Sequence, residues 1–271
     1  FNCSESIFTS LLNQPLQYPT GTAWVYSDLS LITMQYVVGT IVAANNLVPA
    51  SALLPACAGA DPVAQPGLYK SCHFEAFVRT AILEPLGMAS SQFLIPTSEY
   101  AAAMPTWNDT TYRHEVIQGT VSDANAYALG GVAGHAGIFS NVVDMLRFAG
   151  MWGYGPFAQG PGSTWPVLIN ATTRAQFFTP PNPAFSPRAL GWLVQVATDT
   201  YQGCGNFSSS TAYHTGYTGT LICVDPATNV STILLTNRVY PNTTANMGTI
   251  QIARQQFNNA VLTALGLPPQ Q

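Results

Sequence analysis

Few side chains in this chain can do chemistry, because ionisable groups are scarce: Lys and Arg together number 8, Asp and Glu 12, and His 4. His214 opens the run His-Thr-Gly-Tyr-Thr-Gly, where an imidazole with a pKa of about 6.5 can carry positive charge or donate a hydrogen bond. Alone, such a tripeptide is common strand filler. His135 sits in a Gly- and Ala-rich stretch, 130–137. His73 and His114 have no partners at metal-ligand spacing, so no metal is expected, and no other cofactor. Asp28 follows Tyr26 by two residues, and its carboxylate accepts hydrogen bonds but cannot donate them unless protonated.

Cysteines and sequons carry the remaining chemistry. Cys57 and Cys72 close a short insertion loop, and Cys204 and Cys223 flank the His214 turn, so these two pairs are expected as disulfides. Each would remove unfolded-state entropy worth roughly 3 kcal/mol. Cys3 is then the odd cysteine, expected to bond another polypeptide; a pairing with one of the other four is the alternative, since connectivity cannot be read from sequence. Asn2, Asn108, Asn170, Asn206, Asn229 and Asn242 each begin an Asn-x-Ser/Thr sequon without Pro in the middle. Charged residues make up 7% of the chain, far below the roughly 25% usual in soluble domains, so a surface this poor in charge needs another source of solubility. Sequons and cysteines together predict a secreted, glycosylated protein.

Composition also excludes classes. A 47% hydrophobic content supports a sizeable core and argues against wholesale disorder. Net charge is −4 with no basic patch, which argues against nucleic-acid binding. No apolar run reaches about 18 residues, so no membrane span is expected. Phe1 is not an initiator methionine, so the chain is expected to begin inside a longer precursor.

The elements that must position these residues follow from periodicity. Residues 1–25 read as loop, punctuated by Pro15, Pro19 and Gly21. Ser27 or Asp28 caps a helix over 29–44. Residues 45–72 read as an irregular insertion, followed by a helix over 73–84 that Pro85 and Gly87 end. Residues 88–125 read as loop-rich. Ser140 starts a helix to about residue 152, a Gly/Pro-rich loop covers 153–167, and Thr172 or Thr173 caps a short helix to 178. Strands are predicted over 190–196, 211–217, 220–225 and 231–237, with tight turns that imply an antiparallel meander. An amphipathic helix closes the chain over 244–265.

Four stretches, in this order, resemble the serine β-lactamase and D-alanyl-D-alanine carboxypeptidase superfamily, nearest its class C-like and esterase-like branch. They are Pro19-Thr20-Gly21-Thr22-Ala23-Trp24-Val25-Tyr26-Ser27-Asp28, Ile82-Leu83-Glu84-Pro85-Leu86-Gly87-Met88, Asn125 to Phe139 with its core Leu129 to Gly137, and His214-Thr215-Gly216-Tyr217-Thr218-Gly219 with the strand ending at Arg238. The resemblance implies an α/β, two-lobed β-lactamase-like fold: an antiparallel sheet flanked by helices, plus a helical lobe. Residues 1–184 would form most of the helical lobe, and 185–271 the strands and closing helix of the other. It also implies catalytic roles. Tyr26 would accept or shuttle a proton when neighbouring cations lower its pKa. Asp28, where many members carry Asn, would orient a cationic partner. His214 stands in place of the family's Lys and would add positive charge or a hydrogen bond. Thr215 and Gly216 would line the substrate cleft, and the Tyr217 N–H would be one oxyanion-hole donor. His135 either lines the cleft as a substrate-binding residue or is satisfied by backbone carbonyls within its loop.

One family element is missing. The nucleophile of the superfamily lies in Ser-x-x-Lys, yet this chain has a single lysine, Lys70, with Gly67 three residues before it. The N-terminal part of the fold is therefore expected to be absent from this chain. Two readings follow. In the first, an upstream segment or second chain, bonded through Cys3, supplies the nucleophile of a secreted serine hydrolase that cleaves a small-molecule or peptide ester, amide or β-lactam. In the second, the chain is a non-catalytic glycoprotein of the same fold with a binding or assembly role. The persistence of Tyr26 and His214-Thr215-Gly216 favours the first.

Overall fold

A computed structural model describes residues 3–152, 168–196, 199, 201–241 and 247–270. They divide into two compact units: Phe1–Pro105 with Asp109–Ser140, and Thr106–Asn108 with Asn141–Gln271.

The first unit is built on helices α1 (Ser4–Leu12), α2 (Asp28–Ala44) and α3 (Pro66–Val78). Helix α2 begins because Ser27 is extended and its hydroxyl accepts the Leu29 N–H, satisfying one orphan donor. Ile32, Tyr36, Gly39 and Val42 recur at helical spacing and are buried. A Cβ at Gly39 would lie 2.0 Å from the Lys70 carbonyl oxygen, so only glycine lets α2 approach α3 this closely. Helix α1 lays Ile7, Phe8 and Leu11 against the Ile32–Tyr36 cluster, with Phe8 edge-on to Tyr36 at 4.9 Å. Cys57 is disulfide-bonded to Cys72. Helix α3 runs into a π-helical turn, Arg79–Leu83, where the guanidinium pairs with Glu75 at 2.9 Å. Short strands β1 (Asn108–Asp109) and β2 (Glu115–Val116) and helix α4 (Ala124–Ala128) follow before residue 141, with short 3-10 turns at Ala50–Ala52, Pro55–Cys57 and Thr97–Ala102.

The second unit carries a four-stranded antiparallel meander: β3 (Leu193–Val194), β4 (Ala212–Thr215), β5 (Leu221–Asp225) and β6 (Val230–Leu234). Every residue of β5 is buried, as expected of a strand paired on both edges and covered on both faces. Its core joins Tyr213, Leu221, Phe207 and the Cys204–Cys223 disulfide to Leu262 of helix α7 (Met247–Ala264). Helix α5 (Val142–Met151) packs on β6. Asp225 is fully buried yet satisfied: it accepts from the Ser208 N–H and hydroxyl, the Ala227 N–H and the Thr228 hydroxyl. Among the described residues, no helix is long and apolar enough to cross a membrane.

Several sequence expectations are corrected. The stretch read as loop contains α1, whose order comes from packing on α2 rather than from its own caps. Helix α3 begins at Pro66, inside the stretch read as an irregular insertion, because proline at the first helical position loses no hydrogen bond. Asn141, not Ser140, caps α5, and Asn170, not Thr172 or Thr173, caps helix α6 (Ala171–Phe177); both offer the side-chain oxygen three residues before its N–H partner. The strands are shorter than the patterns suggested. Helix α5 falls in the second unit, where it packs on the sheet. The loop 153–167 lies outside the described residues.

Candidate active-site elements

Tyr26, Asp28 and His135 belong to the first unit, and His214 to Tyr217 to the second. In the first, Tyr26 is 60% exposed just before α2, and Asp28 is the first residue of that helix. The Gly-rich stretch 130–137 lies on α2. Gln35, buried in mid-helix, donates to the Val132 carbonyl at 3.1 Å and the Ser71 hydroxyl at 3.0 Å, and accepts the Gly134 N–H at 3.0 Å. A Cβ at Gly134 would stand 2.2 Å from the Leu31 carbonyl oxygen, which explains the glycine.

His135 is not presented to solvent. Its side chain is 4% exposed, and Nε2 lies 2.8 Å from Asp123 Oδ1. Asp123 also caps α4 by accepting the Ala126 N–H at 2.8 Å. The His135 hydrogen bond, with help from that N–H, holds the Asp123 carboxyl below its ordinary pKa against the opposing effect of burial. The ring ties the Gly-rich loop to the α4 cap. Its partner is a carboxylate, not the backbone carbonyls of the alternative reading. Asp28, Asp123 and His135 offer one ligand-type atom each within 4.8 Å of one another. Within this group, Asp123 Oδ1 is already engaged by the α4 cap and by His135.

In the second unit, β4 and β5 form a hairpin in which Thr215 faces Leu221. The Gly216 N–H donates to the Thr220 carbonyl at 2.9 Å, and the Gly219 N–H to the Gly216 carbonyl at 3.0 Å. Gly216 has its own local reason: a Cβ there would meet the Thr220 hydroxyl at 2.2 Å. Among the described residues, the Tyr217 N–H meets no acceptor, and its side chain is 60% exposed. Arg238 clamps the turn: its N–H donates to the Thr218 carbonyl at 2.7 Å and its Nε to the Tyr217 carbonyl at 2.8 Å, with the guanidinium 4.6 Å from the Tyr217 ring. Trp107 lies edge-on to the same ring at 6.3 Å.

His214 sits between two partners. Its Nδ1 lies 2.9 Å from the Thr215 carbonyl, an acceptor, and its Nε2 lies 3.3 Å from Arg188 Nη1, a donor. Both contacts are met by one neutral tautomer, with the proton on Nδ1. Burial, then the Arg188 cation, push the pKa below its usual value, and the Thr215 carbonyl offsets this only in part. The positive charge beside β4 at neutral pH is therefore that of Arg188, not His214. Sequence reading passed over Asp123 and Arg188, and gave Arg238 no role beyond ending a motif strand. Only Asp123 had a local signal, a carboxylate one residue before a helix.

The β-lactamase family model matches residues 66–257. The chain is 30% identical over 229 residues to an N-acetylmuramyl-L-alanine amidase of Bacillus subtilis (strain 168), covering 83% of this chain and 46% of that one. It is 28% identical over 253 residues to a protein of Salmonella schwarzengrund (strain CVM19633) named "Putative D-alanyl-D-alanine carboxypeptidase", covering 88% and 51%. The chain thus spans about half the length of these curated relatives. A mutant of simvastatin synthase from Aspergillus terreus has a related fold, with a TM-score of 0.50 at 14% identity over 73% of this chain and 52% of that one. The mixed α/β fold, with its antiparallel sheet, is β-lactamase-like, and the chain belongs to the β-lactamase family.

Proposed function

We propose that this chain is part of a secreted serine hydrolase that transfers an acyl group to water through an acyl-serine intermediate, on an ester, amide or β-lactam of a small molecule or peptide. The observation that carries it is the Tyr217 N–H: a backbone donor at an exposed tight turn, without an acceptor among the described residues. Such a donor suits the oxyanion of a tetrahedral intermediate, and Thr215 and Gly216 beside it would contact the substrate. Tyr26 would serve as proton acceptor, and Asp28 would hold the polar cluster next to it. Relatives named as an amidase and a carboxypeptidase support hydrolysis as the reaction class.

The serine nucleophile would come from an upstream segment or a separate chain, because no Ser-x-x-Lys exists in these 271 residues. Two features support such a partner. Leu29, Met34, Val37 and Ile41 leave an exposed apolar strip along α2, of the kind that marks an interface. Cys3 is an exposed free thiol in the same unit, suited to a disulfide with that partner. The missing nucleophile equally suits a non-catalytic glycoprotein with a binding or assembly role, which is the second reading. The test is a native preparation treated with a labelled fluorophosphonate and run on a gel with and without reductant. Label is expected on a band other than this chain, released by reductant. Label on this chain would overturn the missing-nucleophile reading, and no label with no partner band would favour the non-catalytic one.

A further inference from the structure

Arg254, in the middle of α7, has a fully buried side chain at 2% exposure. It lies beneath the hairpin that carries Tyr217. Its Nη1 donates to the Tyr201 hydroxyl at 2.5 Å, and its Nη2 donates to two carbonyls, Gly216 at 2.9 Å and Thr220 at 2.9 Å. Among the described residues no carboxylate forms an ion pair with it. A guanidinium does not lose its proton in a protein, so this is a buried cation facing carbonyl dipoles and a phenol. Such a group is costly to bury, and an apolar side chain of similar volume would fill the space at least as well. Packing alone does not account for it.

The geometry points to Arg254 as a positioning residue for the oxyanion donor, an inference that rests on the proposed hydrolase reading. The Gly216 C=O and the Tyr217 N–H belong to one peptide group. A cationic donor on that carbonyl draws electron density toward the oxygen and leaves the N–H on the opposite side a stronger donor, by the polarisation that strengthens chains of hydrogen bonds at low dielectric. The Gly219 N–H bonded to the same oxygen acts in the same sense. Because Nη2 also holds the Thr220 carbonyl, which accepts the Gly216 N–H, one guanidinium ties both ends of the turn and fixes the direction of the Tyr217 N–H. Its own orientation is set from behind. Tyr201 stacks on Tyr213 at 6.3 Å between centroids, and the Tyr213 hydroxyl donates to Asp199 at 2.6 Å. Asp199 in turn accepts the Tyr201 N–H at 3.0 Å. Gln251 and Gln255 of the same helix donate to the Tyr201 carbonyl at 3.1 and 3.2 Å, so α7 holds the Tyr201 backbone as well as its hydroxyl. The charge therefore acts through the peptide and need not touch a substrate.

Two measurements test this, and they separate it from the hydrolase reading. The first is NMR on the labelled 271-residue chain, comparing the native protein with Arg254→Met and Arg254→Lys. Loss of the carbonyl donor should move the Gly216 carbonyl ¹³C and the Tyr217 amide ¹⁵N upfield in the Met variant. The Lys variant, which keeps a charge but cannot span both carbonyls and Tyr201, should show smaller shifts in the same direction. The Leu221 amide, which shares a peptide group with the Thr220 carbonyl, should move in the same sense, while the amide signals of Ile222–Asp225 should stay in place. If the Met variant does not fold, the Lys variant decides. Unchanged Gly216 and Tyr217 signals in a folded variant overturn the inference, whether or not the protein is an enzyme. The second is kinetics on the native, complete enzyme carrying Arg254→Lys. The expected result is a roughly tenfold fall in kcat with KM nearly unchanged, a fraction of the 10²–10³ lost when such a donor is removed outright. A rise in KM with kcat intact overturns the positioning role. Absence of activity in the native complete protein refutes the hydrolase reading, while the NMR comparison still decides whether Arg254 polarises the turn.

Discussion

Arg188 Nη1 lies 3.3 Å from His214 Nε2 and donates to it, so burial and then this permanent cation favour the neutral imidazole. The folded pKa of His214 lies below the unfolded value of about 6.5. Above that value both states carry a neutral ring and this residue costs nothing. As pH falls below about 6.5 toward the lower folded pKa, the unfolded state binds the proton first and stability is lost. Melting curves between pH 5 and 7 should therefore show a steeper fall for the native chain than for His214→Gln. His214→Lys, which sets a fixed cation against Arg188, should melt below His214→Gln at neutral pH. Equal pH slopes for the native and Gln proteins would refute this account.

Gln35 holds the Gly-rich stretch to α2 through three hydrogen bonds, to Ser71, Val132 and Gly134. Gln35→Ala leaves the Val132 carbonyl and the Gly134 N–H buried without that partner. The expected loss is about 1–3 kcal/mol, read as a lower urea midpoint with an unchanged slope. A loss under about 0.5 kcal/mol, the size of an ordinary surface change, would mean that water or a shift of the loop replaces these bonds.

The Cys204–Cys223 disulfide sits in the core of the sheet, with both residues fully buried. Paired Cys204→Ala and Cys223→Ala should destabilise the chain by roughly 3 kcal/mol, from the loop-closure entropy restored to the unfolded state. Peptide mapping without reduction should recover this pair and Cys57–Cys72, and leave Cys3 for other partners.

Asn108, Asn170, Asn206 and Asn229 are exposed, whereas Asn2 and Asn242 lie outside the described residues. Mass spectrometry after enzymatic deglycosylation should find glycans on those four if the chain passes through a eukaryotic secretory route. Asn170 has a second duty: its Oδ1 accepts the Thr173 N–H at 2.9 Å. Asn170→Ala should thus cost about 1 kcal/mol through the α6 cap, even in unglycosylated material. Asn170→Asp, which keeps the cap but not the glycan, should restore stability.

What the sequence determined by itself was local. Ser27 ahead of an apolar period was enough to place α2, because a cap and a helical face are written within a few residues. The meander was legible in the same way, since alternation and tight turns are near-neighbour properties. The four motif stretches identified the family. Three things were decided only by tertiary structure. Helix α1 has no side-chain cap and is ordered by Ile7, Phe8 and Leu11 meeting Ile32 and Tyr36. The charge state of His214 depends on Arg188, 26 residues away in sequence. Arg254 reads in sequence as one polar residue on an amphipathic helix, yet it is buried beneath a turn 38 residues earlier. Desolvation and the direction of a carbonyl dipole are properties of what surrounds a group in space, and they act across sequence separations that no local pattern records.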